Sequence, residues 1–350
     1  MGSAFSKKKK EKKTMERDKM NRRLSVAGGG DTDSQYSGAG DPQAHQGQNS
    51  EKFSNSLLRY ASLSNAGYGP DGGKKTNQDS YVSVGEWGDA TVSVFAVFDG
   101  HGSVGHTVSQ YCKKKWPEHM DKSLMKSETQ NPGNGDAITK MLEKSFNETN
   151  RNLEKDRQID SSLSGTTAVG GVVYGPPGRR KVAMANAGDS RAIIATERNG
   201  QLVCSPLSDD QKPDRPDERQ RIESCGGRVE PLFDEDGEAI GPARVWLPNM
   251  MLPGLAMARS IGDDVAATVG VHAHPEVHIH DLCEADKFMI VASDGVWEFI
   301  ESDEAIKIVQ ACNGDEVAAA KALCDKSYEL WRHEEEVVDD ITAVVVYFAH

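Results

Sequence analysis

The sequence has no apolar run long enough to cross a bilayer. Its longest runs, around Val92 to Phe98 and Ala343 to Ala349, fall well short of the roughly 18 residues that a spanning helix needs. Cys-x-x-Cys pairs are also missing. Cys112, Cys204, Cys225, Cys283, Cys312 and Cys324 lie far apart, which argues against a zinc ribbon or a stapled secreted scaffold and predicts reduced thiols. No apolar signal core precedes the chain, so a cytoplasmic protein is expected. A basic excess is lacking as well: the formal net charge is -13. Residues 7 to 23 carry ten Lys or Arg against three acids, which leaves -20 for the remainder. So acidic a body excludes nucleic acid as a partner, because phosphate backbones are bound by basic faces. No internal repeat is visible. What is present, 350 residues at 37% hydrophobic and 27% charged, is a soluble globular profile with material for a sizeable core. A monomer is expected.

The first 26 residues read as a membrane anchor. Met1-Gly2-Ser3-Ala4-Phe5-Ser6 fits N-myristoylation, with Gly2 as the acceptor once Met1 is removed. Lysines 7 to 10, 12 and 13 follow at once. One acyl chain binds membranes marginally, and each basic residue near anionic lipid adds about 1 kcal/mol, so the two signals together predict stable attachment to an inner membrane face. The alternative is a basic tail for import or solubility. Arg22-Arg23-Leu24-Ser25-Val26 offers Ser25 to basic-directed kinases, and its phosphate would weaken the electrostatic pull. Residues 27 to 53, rich in Gly, Ser and Gln, are expected to be a disordered linker, with the folded domain at 54 to 350.

Within that domain, Ser56 to Gly73 reads as turn-rich. The apolar strand Val94-Phe95-Ala96-Val97-Phe98 stops on Asp99-Gly100-His101-Gly102. Steps of three to four residues predict helices after Gly102 and at Ala137 to Asp156. Ser164 to Tyr174 and Lys181 to Ala195 read as a hairpin around Gly175-Pro176-Pro177-Gly178, and a short helix is expected at Asp217 to Ser224. Prolines and glycines break any period over 231–253, which predicts an irregular surface flap. His272, His274, His278 and His280 alternate with apolar residues and read as the solvated face of one strand rather than as a zinc site. Asp189 with Arg191, and Arg259 with Asp263, read as locks of tight turns; Trp297 reads as core.

The chemistry lies where strands end. Phe288-Met289-Ile290-Val291-Ala292 stops on Ser293-Asp294-Gly295, repeating the Asp99-Gly100 pattern, and Asp339-Asp340 opens the last strand, Ile341 to Phe348. Asp-Gly is also an ordinary turn. Three acids at strand ends, however, form an oxygen-only donor set suited to Mg²⁺ or Mn²⁺. Two such ions can activate a water toward a phosphomonoester, and His101 stands where a leaving alkoxide would need its proton.

Seven segments in order carry a resemblance: Asn77-Gln78-Asp79, Phe98 to Gly102, Ser164 to Ala168, Ala187 to Arg191, Leu255 to Asp263, Ala292 to Trp297 and Asp339 to Thr342. Together they resemble the PPM (PP2C) family of metal-dependent protein serine/threonine phosphatases. The resemblance implies an α+β fold, a four-layer α-β-β-α sandwich of two mainly antiparallel sheets with a two-ion centre between them at one end. It implies phosphoserine and phosphothreonine proteins as substrates. By analogy Asp99 would bridge both ions, Gly100 would give one its carbonyl, and Asp294 and Asp339 would hold the other; Asp340 is the alternative to Asp339, since neighbours on a strand face opposite ways. Asp79 would orient metal-bound waters.

Some positions depart from the family. Lys74 stands where a phosphate-binding arginine is common, which keeps the charge and loses the fork. Gln78 replaces a frequent glutamate. Asp160, Ser162 and Glu298 put a third metal in doubt. The alternative function is a catalytically silent regulator that binds phosphoproteins or kinases, but such a protein should have lost metal acids, and Asp99, Asp294 and Asp339 are present.

Overall fold

The computed structural model describes residues 49–234 and 236–349; Gly2, Ser25 and the lysine run lie outside them. In chain order the strands are β1 Asn49–Ser54, β2 Leu58–Asn65, β3 Asp79–Val84, β4 Ser93–His101, β5 Gly165–Thr166, β6 Ala168–Tyr174, β7 Lys181–Ala187, β8 Arg191–Arg198, β9 Gln201–Pro206, β10 Arg228–Phe233, β11 Ala239–Trp246, β12 Pro253–Leu255, β13 Ile261–Gly262, β14 Glu276–Asp281, β15 Asp286–Ala292 and β16 Ile341–Phe348. One sheet has the order β1-β2-β16-β15-β8-β9. The other runs β13-β5-β4-β6-β7-β14, with β3 paired to β4, and β10-β11-β12 make a small third sheet. Every ladder between these strands is antiparallel.

The central strands, such as β4, β6, β15 and β16, are apolar on both faces because the large sheets are covered on both sides. Side chains alternate across a strand. On β4, Phe95 and Val97 face the core between the sheets, with Tyr60, Val169, Met289 and Val344. Val94, Ala96 and Phe98 face outward and pack against the helices Gly105–Lys115 and Asp136–Glu154. On the far side, Ile290, Ala343 and Val345 pack under the helices Ser302–Ala311 and Glu316–Glu334. The result is helices, sheet, sheet, helices, the architecture expected.

The structure departs from expectation in four places. Ser56 to Gly73 is not mainly turns: it contains β2, whose small polar residues are buried and paired, Ser62 Oγ to Ser83 Oγ at 2.6 Å and Ser64 Oγ to Thr342 Oγ1 at 2.7 Å. β1 begins at Asn49, five residues before the expected start of the folded domain. Lys181 to Ala195 is not one hairpin arm, because the chain leaves one large sheet after β7 and enters the other at β8. The described residues of the 231–253 flap are not mainly irregular: most of them belong to β10 to β12, with Pro231 at the register shift between Glu230 and Leu232, where a missing N–H is tolerated. As for the histidines, only His278 and His280 lie on β14.

His280 closes a buried polar knot. The fully buried Asp286 carboxylate accepts from Thr196 Oγ1 at 2.6 Å, His280 Nε2 at 2.8 Å and the Cys283 N–H at 3.0 Å. Burial alone would raise its pKa, but these donors outweigh burial and lower it from 3.8 to about 2. A lowered carboxyl pKa stabilises the fold above the unfolded value, and that contribution is lost as pH falls through the folded one. Asp286→Asn should therefore cost about 2 kcal/mol at pH 7 and about half that at pH 3. Urea unfolding of both proteins at the two pH values measures this, and an equal cost at both would remove the carboxylate from the account.

Candidate metal centre

The two large sheets bring their acids together at one end. Asp99 follows Phe95 and Val97 at a period of two, so it continues the face that looks between the sheets. Asp79 is its partner across the β3–β4 ladder. From the opposite sheet, β15 ends at Ala292, and Ser293 Oγ donates to Asp79 Oδ2 at 2.8 Å. Asp294 begins the next short helix, and its carboxyl stands beside that of Asp99. Close approach of the backbones requires glycine. A Cβ on Gly295 would lie 1.9 Å from the Asp340 carbonyl oxygen, and one on Gly100 would lie 2.4 Å from that of Gly105. Gly100 is thus required for packing, whatever else its carbonyl does.

Asp339 and Asp340 have different surroundings. Both oxygens of Asp340 are committed to backbone, accepting from the Gly67 N–H at 2.6 Å and the Gln78 N–H at 2.8 Å. Asp339 Oδ1 accepts from Lys75 Nζ at 3.0 Å and from the Asp340 N–H at 2.8 Å. The pair precedes β16, so strand alternation does not separate them, and both lie beside Lys75. Lys74, the phosphate-binding candidate, is exposed; the lysine that reaches the carboxylates is the next one.

Electrostatically this is a strained cluster. Burial, and after it the neighbouring aspartates, push the Asp99 and Asp79 carboxyls well above the usual carboxylate range. Burial, then Asp189 and Asp339, raises Asp294 to about 7, and burial raises Asp340 to about 6 despite Lys75. Burial works against the Lys75 charge, but Asp339, Asp340 and Asp99 outweigh it and hold the ammonium protonated. Several buried acceptors have no partner: Asp79 Oδ1, Asp294 Oδ1 and Asp189 Oδ1. Orphaned carboxylate oxygens in a hard, all-oxygen set are what a divalent ion would satisfy, so the residues fit Mg²⁺ or Mn²⁺.

Two residues read from sequence as turn locks stand in this centre. Asp189 pairs with Lys212 and bears on Asp294. Asp263 Oδ2 meets His101 Nε2 at 2.7 Å and accepts from Ser260 Oγ at 2.6 Å. Burial disfavours the imidazolium, yet Asp263 outweighs it and raises the His101 pKa. Arg191 forks onto Asp210 and lies over the Trp297 ring, 5.4 Å from its centroid. Arg259 joins Glu218 and Glu276. Among the described residues, the one acid trio with oxygens within 4.8 Å of one another is Asp217, Glu218 and Glu276, and Arg215, Arg221 and Arg259 neutralise it. Asp160 is exposed and bonded to Ser162.

A protein phosphatase 2C family profile matches residues 71–333. The chain belongs to the protein phosphatase 2C family. A "Probable protein phosphatase 2C 35" of Arabidopsis thaliana is 38% identical over 304 residues, covering 82% of this chain and 83% of its own length. A "Probable protein phosphatase 2C 75" of Oryza sativa subsp. japonica is 32% identical over 313 residues, covering 79% and 70%. Among solved structures, a serine-threonine phosphatase 2C from Toxoplasma gondii superposes with a TM-score of 0.70 at 20% identity, over 86% of this chain and 99% of that one. The Mycobacterium tuberculosis serine/threonine phosphatase PstP/Ppp gives 0.51 at 19%, over 84% and 100%. The chain is accordingly a protein serine/threonine phosphatase acting on phosphoproteins, in a family that depends on Mg²⁺ or Mn²⁺. The profile match ends before Asp339, so for that residue the local geometry is the guide.

Because the folded pKa of Asp294 is raised, its ionised form costs stability at neutral pH when no cation is bound. Asp294→Asn should raise the thermal midpoint of the metal-free protein at pH 7.5 and abolish the further rise that Mn²⁺ gives the wild type. Scanning calorimetry with EDTA and with Mn²⁺ checks both; a lower metal-free midpoint would contradict the repulsion described.

Proposed function

We propose that the phosphatase works through two divalent ions held by Asp99, the Gly100 carbonyl, Asp294 and Asp339, on phosphoserine and phosphothreonine of proteins at a membrane surface. The observation that carries the two-ion reading is charge. With Asp263 paired to His101, six further carboxylates, Asp79, Asp99, Asp189, Asp294, Asp339 and Asp340, face two ammonium groups, Lys75 and Lys212, leaving a formal -4, which two divalent ions would balance. Spacing supports it too. Ligands about 2.1 Å from one Mg²⁺ lie at most about 4.2 Å apart, and Asp99, Asp294 and Asp339 do not gather three oxygens within 4.8 Å.

Bound Mg²⁺ or Mn²⁺ supplies Lewis-acid charge to the phosphoryl group and acidifies the attacking water. Asp99 joins the two sheets' contributions, and Asp79, fixed by Ser293, offers its unpartnered Oδ1 to water. Asp340 holds the Gly67 and Gln78 backbone in place. His101, oriented at Nε2 by Asp263, protonates the departing alkoxide. Lys74, exposed at the same turn as Lys75, remains a candidate to meet the incoming phosphate.

At the membrane, Gly2 carries the acyl chain and residues 7–23 the +7 that draws anionic lipid. The same lipid repels a body of -20, so attachment depends on the tail, and phosphate on Ser25 subtracts from its charge.

Turnover of a phosphothreonine peptide should require Mn²⁺ or Mg²⁺ and fall at least about 100-fold in Asp99→Asn and Asp294→Asn. His101→Gln should lower kcat by about 10²–10⁴ on that peptide, yet far less on p-nitrophenyl phosphate, whose leaving group needs little protonation. Equal losses on both substrates would take the acid role from His101. Separately, fractionation of cells expressing Gly2→Ala should move the protein from membranes to the soluble pool; unchanged retention would end the acyl-anchor reading.

A further inference from the structure

Lys75 is a cation already seated among residues that would take a metal. Its Nζ lies 3.0 Å from Asp339 Oδ1, and Asp340 and Asp99 add to the field that keeps it charged. The oxygen it uses also accepts the Asp340 N–H at 2.8 Å, so a cation coming to Asp339 must either share the carboxylate through Oδ2 or displace the ammonium. The first puts a like charge a few ångströms from the ion, and the second breaks an ion pair that is only partly solvated. Both weaken metal binding. There is room for displacement, because Lys75 also lines a polar cavity of about 400 Å³ with Ser64, Asn77, Asp79, Gln110 and Lys113.

We infer that Lys75 is a built-in counter-cation that competes with the divalent ion for Asp339, stabilising the metal-free centre and lowering its metal affinity. This rests on the metal reading of the site and deepens it. One ligand carboxylate is neutral toward its surroundings before the ion arrives, whereas Asp294, deeper and without an ammonium of its own, is not. The Asp339 end then needs a higher free ion concentration to reach a given occupancy than the carboxylates alone would require. Lys75 acts here through Asp339, as a positioning residue.

Isothermal titration of Mn²⁺ into the full chain tests this, beside thermal midpoints in EDTA. Lys75→Met should bind Mn²⁺ about tenfold or more tighter than wild type, because a positive charge next to the ion is gone. Its metal-free midpoint should fall, because Asp339 loses its partner. Lys75→Gln keeps a donor to Asp339 without the charge; it should also bind tighter, and it serves should the methionine variant not fold. Lys75→Arg keeps the charge and should stay within about threefold of wild type. Unchanged or weaker Mn²⁺ binding in both neutral variants overturns the competition while leaving the metal site standing. A wild type that takes up no Mn²⁺ overturns the site and the inference together.

Discussion

Mutual repulsion of buried carboxylates is the constraint on which this structure turns. Burial, and after it neighbouring aspartates that include Asp189 and Asp339, raises the pKa values of Asp79, Asp99, Asp294 and Asp340. Left alone, side chains so placed would move apart. They are held because each is fixed by backbone that cannot move: Asp79 and Asp99 by a ladder, Asp340 by two N–H donors, Asp294 by a turn whose glycine touches the facing carbonyl. The core between the sheets supplies the stability that offsets this repulsion, and the site is pre-organised for cations as a result.

The parts of this arrangement that were legible in sequence are those encoded locally. An apolar strand that stops on Asp-Gly shows where a carboxylate leaves the core, and it occurs twice, at Asp99-Gly100 and Asp294-Gly295. The four-layer fold was implied by the family resemblance, and its central strands are apolar because both faces of each large sheet are covered. β4 shows why: its outward residues pack under helices while its inward ones meet the other sheet.

What was not legible depends on partners distant in sequence. β2 reads as turns because Ser62 and Ser64 carry no apolar signal; their hydroxyls are paired with Ser83 and Thr342, on strands that sequence does not identify as their neighbours. The strands of the flap are hidden by Pro231, which sits at a bulge. Asp263 reads as a turn residue and is one, with φ at 54°, yet that backbone also delivers its carboxylate to His101, 162 positions away. Choosing between Lys74 and Lys75 needed the path of a loop: the first points to solvent and the second to Asp339.

His101 shows how such a frame divides its labour. In the proposed mechanism His101 is a proton donor beside cations, and a nearby cation disfavours the imidazolium. Asp263 opposes this: it lies against Nε2, is itself fixed by Ser260, and raises the imidazole pKa despite burial. Asp189 acts in the same sense from farther off while pairing with Lys212. The acids therefore do two jobs by position. In that proposal those at the strand ends would gather cations, while Asp263, placed on the imidazole instead, favours its protonated form.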